Sequence, residues 1–362
     1  MRIISNTQKI TIPLIISILA LGCSKDDETG ETGETGTIVE TGVTSETGVT
    51  TTETGATNAP PSQEEFSSFM SNSRTSKIQS FSKEFIPGLT LTLDSGSTVV
   101  IGGNLLDADG HIVSGLVDVD IVELTHRGEM LTAGMSTMGI DEDGNKSALI
   151  SGGEHYVNIT QDDAPLTLQG EYTINVLTSL TGGTDLDMEL FVPADENVEF
   201  DGDVDWSQVD MDRKMGFGGE GEGSYYWLTS DTFGWTNVDK WSSDPRDKTR
   251  IQVGVPEGFS DQNSVVYLTY DGEPAALAFL DVYDDASGLF TEHYGMLPIG
   301  LEIHLIFLSI DLGEDDDGTD DQWLYQIISE TVDEDETIFF SDVSAMTSGN
   351  EADLIAAIDA LP

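Results

Sequence analysis

The chain has 362 residues, with 14 Lys or Arg against 67 Asp or Glu, a formal net charge of −53. That balance excludes nucleic acid as a partner, because phosphates would be repelled, and leaves cations as the natural small partners. Apolar residues make up 38% of the chain, enough to build real cores, and the single cysteine, Cys23, leaves no internal disulfide.

Residues 1–22 read as a signal peptide. Arg2 and Lys9 give a short positive start, and residues 10–21 form an apolar run interrupted only by Thr11, Pro13 and Ser17. The run is shorter than the roughly 20 residues a spanning helix needs. It ends in Leu19-Ala20-Leu21-Gly22-Cys23, which resembles the bacterial lipobox. The resemblance implies that Cys23 is lipidated, and two or more acyl chains make a stable membrane anchor. Ser24, Lys25, Asp26 and Asp27 follow. They resemble the Lys-plus-acidic signal that sends Bacteroidetes lipoproteins through the outer membrane to the cell surface; the alternative is an ordinary acidic tether facing the periplasm.

Residues 23–61 are low complexity. Glu-Thr-Gly starts at Glu28, Glu31, Glu34, Glu40, Glu46 and Glu53. With no apolar period and repelling glutamates, the segment is expected to be a disordered, extended tether averaging about 35 Å or more. Residues 62–84 hold a short helix and a connector. Ser62 and Glu65 form a capping box. Phe66, Phe69 and Met70 share one face, expected to dock on the first domain.

Residues 85–211 show strand after strand. Val117, Val119 and Ile121 alternate with Asp118 and Asp120. Val157 and Ile159 alternate with Tyr156, Asn158 and Thr160. Tyr172, Ile174 and Val176 repeat the period of two. Asp109-Gly110, Asp143-Gly144, Gly152-Gly153 and Gly182-Gly183 read as turns between them. Residues 212–224 read as a glycine-rich linker. Gly216-x-Gly218-x-x-Gly221 formally matches a dinucleotide fingerprint, but no strand and helix flank it, and Glu220 and Glu222 would repel a pyrophosphate.

Residues 225–345 read as a second β domain. Its strands include Ile251, Val253 and Val255, then 265–270, 277–283, 323–328 and 338–340. The solid run Leu305-Ile306-Phe307-Leu308 predicts a strand buried on both faces. In residues 346–362, Ser348 and Glu351 predict a capped terminal helix with Leu354, Ile355, Ile358 and Leu361 on its apolar stripe. The expected fold class is therefore all-β, two antiparallel β-sandwich-like domains with short flanking helices after a disordered acidic tether.

The stretches 107–131, 148–160, 233–241 and 296–307 together resemble an uncharacterised Bacteroidetes-type surface lipoprotein family with tandem β domains. These are DADGHIVSGLVDVDIVELTHRGEML, ALISGGEHYVNIT, FGWTNVDKW and MLPIGLEIHLIF. The resemblance covers most of residues 62–361. It implies the tandem β architecture and no particular chemistry, and the Glu-Thr-Gly tether lies outside it.

Three acidic turns offer hard oxygens for calcium. Asp107-Asp109-Gly110 and Asp141-Asp143-Gly144-Asn145 are expected to be plain hairpin turns. Asp315, Asp317, Asp320 and Asp321 are the candidate metal ligands, since five carboxylates fall within seven residues there. His111, His126, His155, His293 and His304 lack zinc-site spacing, and His304 reads as a core or edge histidine. The unusual patch is 225–250, where aromatic and basic residues concentrate. Trp235, Asn237, Asp239, Lys240, Trp241 and Arg246 are the candidate ligand-binding residues there, suited to sugar rings bearing uronate or sulfate groups. The alternative is that the aromatics fill the second core and the cations pair with Asp239, Asp244 and Asp247.

No catalytic residues are assigned. The expectation is a lipid-anchored, outer-membrane, cell-surface, non-enzymatic binding or structural protein. Its partner would be a carbohydrate or a surface protein, and its only candidate cofactor Ca2+. The alternative is a secreted hydrolase of polysaccharide or protein.

Overall fold

The computed structural model describes residues 59–362, apart from 210–213, 274, 294–296, 314–319 and 341. The signal peptide, Cys23 with Ser24, Lys25, Asp26 and Asp27, and the tether up to residue 58 lie outside the described residues.

The period-two segments form strands, as expected, and the fold is all-β with sandwiched, mainly antiparallel sheets. One sheet runs Gln79–Phe85, Gly115–Leu124, Lys146–Gln161, Gly234–Trp241, Glu189–Pro193, Trp206–Gln208, Met138–Ile140. Met138–Ile140 also pairs back onto the start of Lys146–Gln161, closing the last five strands into a ring. Facing this sheet is a second, Met215–Gly218, Tyr225–Ser230, Tyr172–Leu177, Thr98–Ile101, Leu89–Thr92. Val117, Val119, Ile121, Val157 and Ile159 meet Val99, Ile101, Ile174, Val176 and Leu228 between the two. Each such side chain, fully buried, contributes about 1.5–3 kcal/mol.

A second sandwich follows. Ala278–Phe279, Val265–Tyr270, Glu302–Asp311, Gln322–Thr331 and Thr347–Gly349 form one sheet. Val282–Asp284, Leu289–Thr291, Gln252–Gly254 and Thr337–Phe339 form the other, its last pair parallel. Val266, Leu268, Leu305 and Phe307 pack against Val253, Phe290 and Ile338. The solid apolar run is buried on both faces, as expected: every residue from 303 to 310 is buried. Its second face meets the ring sheet. Val122, Leu124, Phe191, Trp206 and Trp235 join Tyr267, Ile306, Leu308 and Trp323 in a central core shared by both halves.

That shared core corrects the expected domain boundary. Residues 215–218 are a strand rather than linker, and 225–230 and 234–241 lie inside the first two sheets. Gly216 and Gly218 serve ring packing: a Cβ on Gly216 would meet the Trp227 indole at 2.6 Å, and one on Gly218 the Tyr225 ring. Segment 277–283 also differs from the expected single strand, splitting into two short strands in different sheets. Gly152-Gly153 is no turn. It lies within the strand Lys146–Gln161, where the pairing with Gly234–Trp241 slips: Asn237 faces Glu154, but Asp239 faces Ser151. The extra residue is a β-bulge, and Gly153 supplies its φ of +121°.

Helix α1, Gln63–Ser76, starts at the expected capping box, with both the Ser62 and Glu65 side-chain bonds present. Its apolar face enters the central core between the halves rather than docking on the first alone. Phe69 stands edge-on to Trp323 with ring centroids 4.8 Å apart. Arg74, buried in its last turn, donates to the carbonyls of Ala133, Gly134, Phe200 and Gly202. Helix α2, Arg127–Thr132, packs on helix α3, Glu351–Asp359. The α3 cap is Asn350, whose side chain accepts from the Asp353 N–H, and not Ser348. Ser348 is unavailable because Thr347–Gly349 pairs with Gln322–Thr331. Leu354 and Ile358 of the expected stripe are fully buried. Among the described residues no helix is long and apolar enough to cross a membrane.

Candidate functional site

The strand Gly234–Trp241 and the segment after it carry all six candidate ligand-binding residues. The structure divides them. Trp235 and Asn237 are buried, Trp235 in the central core with its indole N–H donating to the Phe200 carbonyl at 3.3 Å. Asp239, Lys240, Trp241 and Arg246 line a cleft of about 860 Å³. The cleft draws on both halves: Lys146, Phe191 and Gln208 lie on the ring sheet, and Leu268, Tyr270, Phe279 and Asp281 belong to the second sandwich.

Trp241 is half-buried and donates to Gln208 Oε1 at 2.7 Å, which fixes the indole edge and leaves a ring in the wall. Eight carboxylates and four Lys or Arg residues contribute to the lining. The cations are engaged. Lys146 bridges Asp205 at 3.0 Å and Asp281 at 2.7 Å. Burial opposes its charge, but the two carboxylates outweigh that and raise its pKa. Lys240 meets Asp185 at 2.7 Å, and that hydrogen bond raises its pKa too. Arg246 clasps Asp244 at 2.5 Å and holds that carboxyl down at about 2. Lys248 donates to the Asp244 carbonyl at 2.8 Å. Arg250, outside this cleft lining, lies 3.9 Å from Glu292. The expected pairing of cations with Asp244 is therefore present. Asp239 is instead bonded by the Asn237 side-chain amide at 2.6 Å. The aromatics fill cores, but those of the first half and the centre rather than the second: Tyr226 belongs to the first core, with Phe233 packed against it, and Trp235 to the central one, with Trp241 packed against it.

Behind the cleft wall lies Glu154, which sequence reasoning missed, beside the candidate Asp239. Glu154 and Asp239 are fully buried. Burial pushes the Glu154 carboxyl well above the usual carboxylate range, and the neighbouring Asp239 adds to the push. Burial does the same to Asp239. The available signal was an acid, Glu154, directly after two glycines inside a strand of alternating residues. Only the bulge turns it inward, and a bulge looks like a turn in sequence.

A second cavity of about 930 Å³ lies alongside, lined by Phe66, Met70 and Arg74 of α1, by Asp201, Asp203 and Asp205, and by Tyr267. Lys146, Phe279, Asp281 and His293 line both cavities.

The acidic turns behave as follows. Asp107 accepts from the N–H groups of Asp109 and His111 at 2.9 and 2.8 Å, and Asp141 accepts likewise from Asp143 and Asn145. Both are the expected hairpin turns. Asp107, Asp109 and His111 come close enough to share an ion, but they are exposed or half-exposed, and Asp107 is engaged by the turn itself. Of the candidate metal ligands, Asp315 and Asp317 lie outside the described residues. Asp320 is exposed, and Asp321 accepts the Gly313 N–H at 2.9 Å. His304 is a buried strand histidine, its Nδ1 2.8 Å from Ser329 Oγ, while its Nε2 has no hydrogen-bond partner among the described residues.

No protein-family model matches the chain, and no curated protein matches it.

Proposed function

We propose that the protein is a lipid-anchored, non-enzymatic binding lipoprotein of the cell surface whose cleft takes a neutral, hydroxyl-rich ligand, a carbohydrate. The observation that carries this reading is the 860 Å³ cleft with Trp241 in its wall among surplus carboxylates. An indole face suits a sugar ring, and carboxylates accept from ring hydroxyls. The wall cations already have partners, so a uronate or sulfate would have to break an existing pair before binding. That shifts the ligand class from charged to neutral sugars. The anchor part of the reading rests on Cys23 and the residues before it, and the surface part on Lys25, Asp26 and Asp27.

Titration calorimetry with a panel of neutral hexasaccharides, and with sulfated counterparts, tests the reading. At least one neutral member is expected to bind, and Trp241→Ala to weaken it tenfold or more, a loss of about 1.4 kcal/mol. Binding confined to sulfated members, or unaffected by Trp241→Ala, would overturn the assignment. Release of reducing ends during the titration would make the protein a hydrolase instead.

A further inference from the structure

Glu154 and Asp239 are held on one face of the ring sheet by the bulge at Gly152-Gly153. Glu154 stands opposite Leu124 on one neighbouring strand and Asn237 on the other, and Ser151 stands opposite Asp239. Paired residues point to the same face, and Leu124 lies in the central core. Four oxygen-bearing side chains therefore converge on one buried spot: Ser151, Glu154, Asn237 and Asp239, all fully buried.

Their hydrogen bonds do not close. Ser151 Oγ donates to Asn237 Oδ1 at 3.0 Å, and Asn237 Nδ2 donates to Asp239 Oδ2 at 2.6 Å. Both oxygens of Glu154 and Oδ1 of Asp239 have no partner among the described residues. The donors nearby are committed elsewhere. The Trp206 indole N–H goes to the Ser136 carbonyl at 3.0 Å, and the hydrogen bonds of Arg74 go to four carbonyls. Two buried carboxylates left this way cost several kcal/mol when ionised, a cost relieved either by taking up protons or by a bound counter-charge. Asp239 also lines the 860 Å³ cleft, so the spot borders the cleft wall.

We propose that Glu154 and Asp239, with the Asn237 and Ser151 side chains beside them, hold a hard divalent cation behind the cleft wall. Two carboxylates balance two positive charges. The two free oxygens of Glu154 offer bidentate coordination, which suits calcium, whereas magnesium demands stricter octahedral geometry. Neutral amide and hydroxyl oxygens complete an all-oxygen donor set. The site uses none of the residues 315–321 and does not depend on what occupies the cleft.

The test uses the purified protein stripped with chelator. Terbium stands in for calcium, and Trp206 and Trp235 of the same core sensitise its emission. Wild type is expected to show one equivalent of sensitised terbium, displaced by calcium, and a melting temperature raised by millimolar calcium more than by magnesium. Glu154→Gln and Asp239→Asn should abolish both responses, whereas Asp317→Asn should keep them. Absence of sensitised emission and of a calcium shift in wild type would overturn the proposal, whatever the variants do. So would retention of both responses in Glu154→Gln, or their loss in Asp317→Asn alone.

Discussion

Gly153 shows how one backbone position sets the direction of its neighbours. Without an extra residue, Ser151 and Glu154 would point to opposite faces of the ring sheet, since side chains alternate along a strand. The bulge brings both to the central face. Its φ of +121° belongs to a region that side-chain-bearing residues almost never occupy. A Cβ there would also meet His155 Cε1 at 3.1 Å. Gly153→Ala is therefore expected to cost about 1–3 kcal/mol of stability, read as a lower urea midpoint at unchanged slope. A midpoint equal to wild type would mean that the strand tolerates the residue and the bulge does not fix the four side chains. The same pair of glycines explains a limit of sequence reading. Gly-Gly marks a turn and a bulge alike, and only the pairing partner, Gly234–Trp241, distinguishes them.

At the scale of elements, the helices are tied by ions as well as by apolar faces. Lys77, which caps α1, meets Glu351 at 2.8 Å, and Ser73 Oγ donates to the same carboxylate at 2.6 Å. Burial pushes Glu351 up, but the Lys77 and Ser73 bonds outweigh it and hold the carboxyl below its ordinary range. A depressed acid stabilises the fold at pH values above its unfolded pKa of about 4.3, and that contribution is lost as pH falls through the lower folded value. Lys77→Met should thus cost under about 1 kcal/mol of stability at pH 7, because the pair is partly solvated, and lower the melting temperature accordingly. At pH 3 the gap between variant and wild type should narrow. An equal gap at both pH values would show that Lys77 acts by packing alone. Most elements were legible in the sequence because period-two apolar residues and the Ser62–Glu65 box are local signals. The α3 cap was not. Asn350 and Ser348 are both good caps, and the choice was made by the long-range pairing of Thr347–Gly349, which no local pattern carries.

For the whole molecule, the decisive feature is the central core. It joins the two sandwiches, receives α1, α2 and α3, and sets the cleft at their seam. The all-β class was legible from the strand spacing, but the boundary at 212–224 was not. Glycines that accommodate Trp227 look the same in sequence as glycines that give a linker freedom. Four of the six candidate cleft residues do reach the cleft. The other two, Trp235 and Asn237, share a face with Asp239 and Trp241 but lie deeper along the strand, a distinction alternation cannot make. The proposed surface binding role requires this folded body to be held outside the cell by a lipid on Cys23. Metabolic labelling with an alkyne-bearing palmitate tests that claim most directly. Wild type should incorporate the label and Cys23→Ser should not; an unlabelled wild type, or equal labelling of both, would contradict the account.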